Sequence, residues 1–312
     1  MKLPPLVLAS AGLLTVGLLT AGCGAAPAGS LGPVPSGGTT SSSSASPTAS
    51  STASAPRSAD GEPSSAPASP TPTPARQISL QAWFTRGGKL FLTERTVPAT
   101  PRVARAAIGS VLAGPSAAEY AAGVRSQIPA GTALLGVRIS GGGIATVDLG
   151  SSFVSGTSPA TMPLRIAQLV YTITQFPTVR GVRFAINGQG VTVLGGVPVQ
   201  SPQTRAMESG YLPAIIVQSP AIGEQVSNPV TVSGTADVFE ATVSIRVLDS
   251  AGHEIARTFT TATCGTGCRG NYSVPINYSV PRTQRGAIEV FESSAENGQA
   301  IKVQRIPVTL IA

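Results

Sequence analysis

The sequence predicts an α+β domain followed by an all-β sandwich, both set behind an unstructured N-terminal leader. Three observations carry this prediction. Residues 24–76 are dominated by serine, proline, alanine, threonine and glycine. Residues 78–196 alternate short extended segments with two stretches of helical periodicity, and residues 213–312 hold extended segments only, at nearly even spacing. A chain of 312 residues is long enough for two such domains.

The leader begins "MKLPPLVLASAGLLTVGLLT", with Lys2 ahead of an apolar run from Leu6 to Leu19. That run falls short of the roughly 20 residues needed to cross a bilayer and reads as the apolar region of an export signal. Ala21 and Gly22 then precede Cys23, and "LLTAGCG" resembles the bacterial lipobox, with Thr20 where leucine is most common. The resemblance implies a signal peptide over residues 1–22, a diacylglyceryl group on the Cys23 thiol and a mature chain that starts at Cys23. At about 0.8 kcal/mol per buried CH₂, two or three acyl chains anchor stably. The expected location is the extracytoplasmic face of the cell membrane.

Residues 23–77 lack the large apolar side chains that would offset the entropy of ordering a backbone. They read as a tether. As a flexible coil of about 50 residues it spans about 40 Å, more where prolines extend it.

The formal charge is +7 and drops to +6 when Lys2 leaves with the signal. Lysine occurs only at Lys2, Lys89 and Lys302, so 18 of the 21 basic residues are arginine. They stand singly, without the basic runs that track a phosphate backbone, which together with export argues against nucleic acid. Attraction to anionic wall polymer is the weaker expectation that this charge leaves.

In the first domain, "ISLQAWFTRGGKLFLTERTV" is two apolar segments around Gly87-Gly88, a hairpin signal. Thr100 and Pro101 then open a helix whose apolar stripe runs through Val103, Ala104, Ala107, Ile108, Val111 and Leu112 until Gly114-Pro115. "ALLGVRIS" and "IATVDLG" are extended. Ile166, Leu169, Val170 and Ile173 repeat at helical spacing over residues 163–175, and "VRFAINGQGVTVLG" closes the domain as strand, turn, strand. The order read is β-α-β-β-α-β, with two helices on one face of a small mixed sheet.

"RTVPAT", "VLAGPSAAEYAAGVRSQIPAGTALLGV", "GIATVDLGSSF" and "IAQLVYTITQFPTVRGVRFAINGQ", in that order, resemble the GerM-type domain of sporulation and germination lipoproteins. The resemblance covers residues 78–197 and implies assembly with other envelope proteins rather than catalysis. "INGQGVTVLGG" has the wrong glycine spacing for a dinucleotide loop, and it runs into a strand instead of a helix. Asp148 and Glu119 are the carboxylates nearest these motifs, and nothing in the sequence brings them together. Asp148 is expected to end a strand and bond to the backbone of the "GSS" that follows.

Residues 198–212 read as a second, short linker. Beyond it come "AIIVQSP", "VTVSGTA", "TVSIRVLD", "IARTFTTA", "NYSVPINYSV", "AIEVFESS" and "IKVQRIPVTLI", about seven strands. Tyr272, Val274, Ile276, Tyr278 and Val280 share one face at period 2, and Pro275 suggests a sheet edge. "IIVQSPAIGEQVSNPVTVSGTADVFEATVSIRVLDSAG" also resembles the immunoglobulin-like domain that often follows a GerM-type domain in exported bacterial proteins, which implies such a domain over residues 213–312.

Cys264 and Cys268 flank a short glycine-containing stretch and read as a local disulfide, with free thiols as the alternative. A zinc site lacks ligands, since His253 is the only histidine in the chain and stands in a turn. No catalytic, metal or cofactor residue is expected. The function expected is that of an exported, lipid-anchored envelope protein with non-catalytic binding domains. Its partners would be the membrane, other envelope proteins, a second copy of the chain or wall polymer. The alternative is an extracytoplasmic regulatory or ligand-sensing lipoprotein acting on a sensor kinase or a wall enzyme.

Overall fold

The computed structural model describes residues 76–156 and 158–312. The signal peptide, Cys23 and nearly all of the tether lie outside the described residues. The described residues belong to one compact unit.

Strands β1 (Gln77–Arg86) and β2 (Lys89–Pro98) form an antiparallel hairpin in register from Gln77–Pro98 to Arg86–Lys89. Its two-residue turn takes φ of +59° at Gly87 and +75° at Gly88, which a residue with a Cβ adopts only under strain. Helix α1 (Val103–Leu112) follows, with Thr100 Oγ1 accepting from Arg102 N–H and with Ala104, Ala107, Ile108 and Val111 buried. Helix α2 (Ala117–Ala121) is one short turn held by a capping box between Ser116 and Glu119.

Strands β3 (Leu134–Ile139), β4 (Ile144–Leu149), β5 (Gly181–Ile186) and β6 (Gln189–Val191) make a four-stranded sheet in that order. The central pair β4–β5 is parallel and the flanking pairs are antiparallel. Parallel neighbours need a crossover, supplied here by a 3-10 turn at Ser151–Val154 and helix α3 (Met162–Ile173). A two-residue pair, β7 (Val193–Leu194) with β8 (Val197–Pro198), ends the domain.

Both helices cover one face of the four-stranded sheet, and the hairpin lies against the other side of α3 as a separate two-stranded sheet. This elaborates the simple β-α-β-β-α-β layout, and the reason is polar. Gln81, Trp83 and Thr85 turn their peptide groups away from β2. Gln81 exchanges two hydrogen bonds with the Gln175 amide (2.8 and 2.9 Å). Trp83 N–H donates to Thr172 Oγ1 (3.1 Å), and Gln168 Nε2 donates to Trp83 O (3.1 Å). Thr85 exchanges two backbone bonds of 2.8 Å with Arg125. Side chains from α3 and from Gln175 just past it, with the backbone of Arg125, thus complete the free edge of β1, and Gln168 and Thr172 are fully buried while doing so.

In the second domain, β9 (Ile215–Ser219), β11 (Val230–Ala236) and β14 (Gly270–Ile276) form one sheet in the order β14-β11-β9. Strands β10 (Gln225–Val226), β12 (Thr242–Leu248), β13 (Glu254–Thr261), β15 (Gln284–Ser293) and β16 (Ala300–Leu310) form the other, in the order β10-β16-β15-β12-β13. Ile215, Val232 and Ile276 meet Ile245, Val290 and Val308 in the core between them. Pro275 does lie on an edge strand, and Tyr272, Ile276, Tyr278 and Val280 are all buried. Tyr272 hydroxyl reaches across Gly234 of the middle strand to donate to Ile216 O (3.0 Å).

The domains meet through an apolar cluster of Trp83, Leu90, Leu92, Ala167 and Tyr171 with Ile216, flanked by Tyr211 and Leu212. Arg86, whose pKa burial pulls down to about 10, donates to Arg305 O (3.0 Å) and Gln304 Oε1 (2.6 Å). Residues 198–212 are themselves held down. Gln203 exchanges backbone bonds with Val182, and Arg205 stacks 4.7 Å from the Tyr171 ring centre while donating to Tyr171 O.

Candidate partner-binding site

The start of α1 and the edge strand β3 border a groove of about 580 Å³. Thr100 and Pro101 fix the entry to α1, so that Arg102 and Arg105 stand along one wall of the groove. Leu135, Arg138 and Ile139 of β3 stand along the other. Arg105 donates to Leu134 O (3.1 Å) and ties the walls together. Leu135 is 50% exposed and Ile139 44%, and no acidic residue lines the groove. Beyond β3 no further strand is paired among the described residues. An unpaired strand edge with apolar side chains and three arginines offers backbone bonds, apolar contact and positive charge together. That combination suits an extended acidic segment added as a further strand.

The carboxylates singled out in the sequence are structural. Asp148 Oδ1 accepts from Gly188 N–H (2.9 Å) in the β5–β6 turn and not from the "GSS" backbone. The parallel β4–β5 pairing sets that turn beside the end of β4, a placement that local sequence does not reveal. Glu119 accepts from both ends of the Arg95 guanidinium (2.7 and 2.6 Å) and from Ser116 N–H (2.7 Å). Burial alone would raise its pKa, but Arg95 and Ser116 outweigh that and hold it below the ordinary 4.5. A depressed carboxylate adds stability above its unfolded pKa and loses it as pH falls through the folded one. The stability difference between wild type and Glu119→Gln should therefore be full above about pH 4.5 and shrink below it, as measured by urea unfolding across pH. A difference that stayed constant through that window would show that the charge contributes nothing.

His253 lies in the β12–β13 turn with its side chain 79% exposed and Nδ1 3.4 Å from Asp249. Cys264 and Cys268 lie in the β13–β14 loop, disulfide-bonded with Cα atoms 5.7 Å apart. Among the described residues no three histidine, cysteine or acidic residues gather as a metal site, and no helix is long and apolar enough to cross a membrane. The groove itself was not legible in the sequence, because its two walls are separated by about thirty residues of chain and meet only through the fold.

Residues 84–192 match the family described as sporulation and spore germination, and residues 214–299 match the immunoglobulin-like domain of bacterial spore germination. Among solved structures, the tandem GerMN domains of the sporulation protein GerM from Bacillus subtilis align at 14% identity and TM-score 0.38, over 76% of this chain and 61% of that one. The first GerMN domain of the same protein aligns at 19% identity and TM-score 0.33, over 41% of this chain and 98% of that one. The chain thus spans about three fifths of the tandem-domain structure. A search of the curated proteins finds no match. The chain accordingly carries a GerM-type domain of the sporulation and spore germination family, joined to the immunoglobulin-like domain of bacterial spore germination.

Proposed function

We propose that this is an exported protein, anchored by lipid at Cys23 to the outer face of the cell membrane, whose two domains bind envelope proteins and carry out no chemistry of their own. The observation that supports this most is the α1–β3 groove: an unpaired edge, exposed Leu135 and Ile139, and arginines without lining carboxylates. Its occupant is an acidic, extended segment of another envelope protein, in a process of the sporulation, germination or wall-maintenance type. The tether supplies reach from the membrane into the wall.

Crosslinking in intact cells tests both halves. Ile139→Asp combined with Arg138→Glu should reduce partner recovery to background while the protein still folds and stays at the membrane. Cys23→Ala should release the chain from membranes or leave an unprocessed precursor. Undiminished recovery from the groove variant removes the groove from the proposal, and normal processing with full membrane retention of Cys23→Ala removes the anchor. Turnover of wall fragments or peptides by the purified chain would overturn the non-catalytic reading.

A further inference from the structure

A second cavity, of about 160 Å³, lies where the two domains meet, and its chemistry differs from that of the groove. Trp83, Tyr171, Leu212 and Ile216 supply apolar and aromatic wall, and Arg205 and Arg269 face the same space. Each guanidinium is held by neutral acceptors alone. Arg205 donates to Thr174 Oγ1 (2.8 Å) and Tyr171 O (3.0 Å). Arg269 donates to Pro213 O (2.6 Å), Ala214 O (3.2 Å) and Thr235.

Among the described residues neither arginine has a carboxylate within ion-pair distance. Burial lowers the pKa of both, and for Arg269 the charge of Asp237 offsets part of that. Two partly desolvated cations with no carboxylate in ion-pair contact are costly to keep beside an apolar space, and an incoming anion would relieve them. A guanidinium also carries five N–H groups, more than these bonds use, in a fork that fits a carboxylate. For comparison, an apolar cavity of about 150 Å³ holds one benzene.

We propose that this cavity binds a small organic carboxylate with a ring-sized apolar body, its charge between Arg205 and Arg269 and its body against Tyr171 and Ile216. Arg205 comes from the segment between the domains, Arg269 from the immunoglobulin-like domain and Tyr171 from the GerM-type domain, so the ligand would bridge all three.

Trp83 is the only tryptophan in the chain, which makes its fluorescence a local readout. Phenylacetate titrated into the full chain should give a saturable change in that fluorescence and raise the melting temperature. Benzyl alcohol, without the charge, and inorganic phosphate, without the body, should each bind at least about tenfold more weakly. Arg205→Gln should weaken phenylacetate binding by at least about tenfold. Leu212→Phe, which keeps both arginines but fills the space, should abolish binding without lowering the ligand-free melting temperature. The groove variant Ile139→Asp with Arg138→Glu should titrate like wild type, which separates this site from the protein-binding reading. No saturable response to phenylacetate, equal responses to all three probes, or undiminished binding by Leu212→Phe would overturn the proposal.

Discussion

Gly234→Ala should destabilise the immunoglobulin-like domain by about 3 kcal/mol or more, the sum of overpacking and one lost buried hydrogen bond. A Cβ at Gly234 would stand 1.9 Å from Ile216 O and 2.8 Å from the Tyr272 hydroxyl. Both are shorter than any real contact of a Cβ atom, and the nearer atom is backbone. Relief requires β9 to move away from β11, and that breaks the bond from Tyr272 to Ile216 O. Tyr272 is buried, and its pKa is pushed up by burial, so an orphaned hydroxyl there has no water to turn to. Gly109 in α1 gives the matched control. It has nothing within 4 Å of its would-be Cβ, and alanine there should stabilise by about 0.5–1 kcal/mol. Urea unfolding followed by circular dichroism measures both. A Gly234→Ala cost within about 0.5 kcal/mol, the range of an ordinary surface change, would mean that the sheet relaxes freely around this point.

Gln168→Leu should cost about 2–6 kcal/mol, although it puts an apolar side chain where a polar one is fully buried. Gln168 donates to Trp83 O and accepts from Gln127 N–H (2.8 Å). Leucine leaves both backbone groups without partners inside the domain, at about 1–3 kcal/mol each. Hydrogen exchange at Gln127, whose N–H loses its acceptor, should rise well ahead of global unfolding in the leucine variant. Unchanged stability with unchanged exchange would mean that water or a shifted neighbour replaces the amide.

These two residues show where sequence reading succeeds and where it stops. The seven strands of the second domain were legible because each carries its own period-2 signal, and Tyr272, Ile276, Tyr278 and Val280 keep that alternation even past the end of β14. Only the two-residue β10 escaped, since two residues hold no period. In the first domain the apolar stripe of α3 was visible, but nothing in the sequence marks Gln168 and Thr172 on that helix, or Gln175 just past it, as partners of buried backbone. They face a strand edge, and a polar residue that satisfies buried backbone looks the same in sequence as one that satisfies water. Helix α2 carries a capping signal in Ser116 and Glu119, three apart, but it is too short to show periodicity. The groove and the cavity were out of reach for another reason. Residues 102, 105 and 138, and residues 83, 171, 205 and 269, come together only through tertiary contacts, and one sequence carries no record of such distances.

The doubly bonded first strand has a mechanical consequence. Tension arriving along the chain from residue 76 enters the fold at Gln77, the first residue of β1. One edge of that strand is zipped to β2 along its whole length, and the other is stitched to α3 and Arg125. A load along the strand must shear both rows at once instead of opening them one rung at a time. The point where a leash would attach is therefore built to resist pulling.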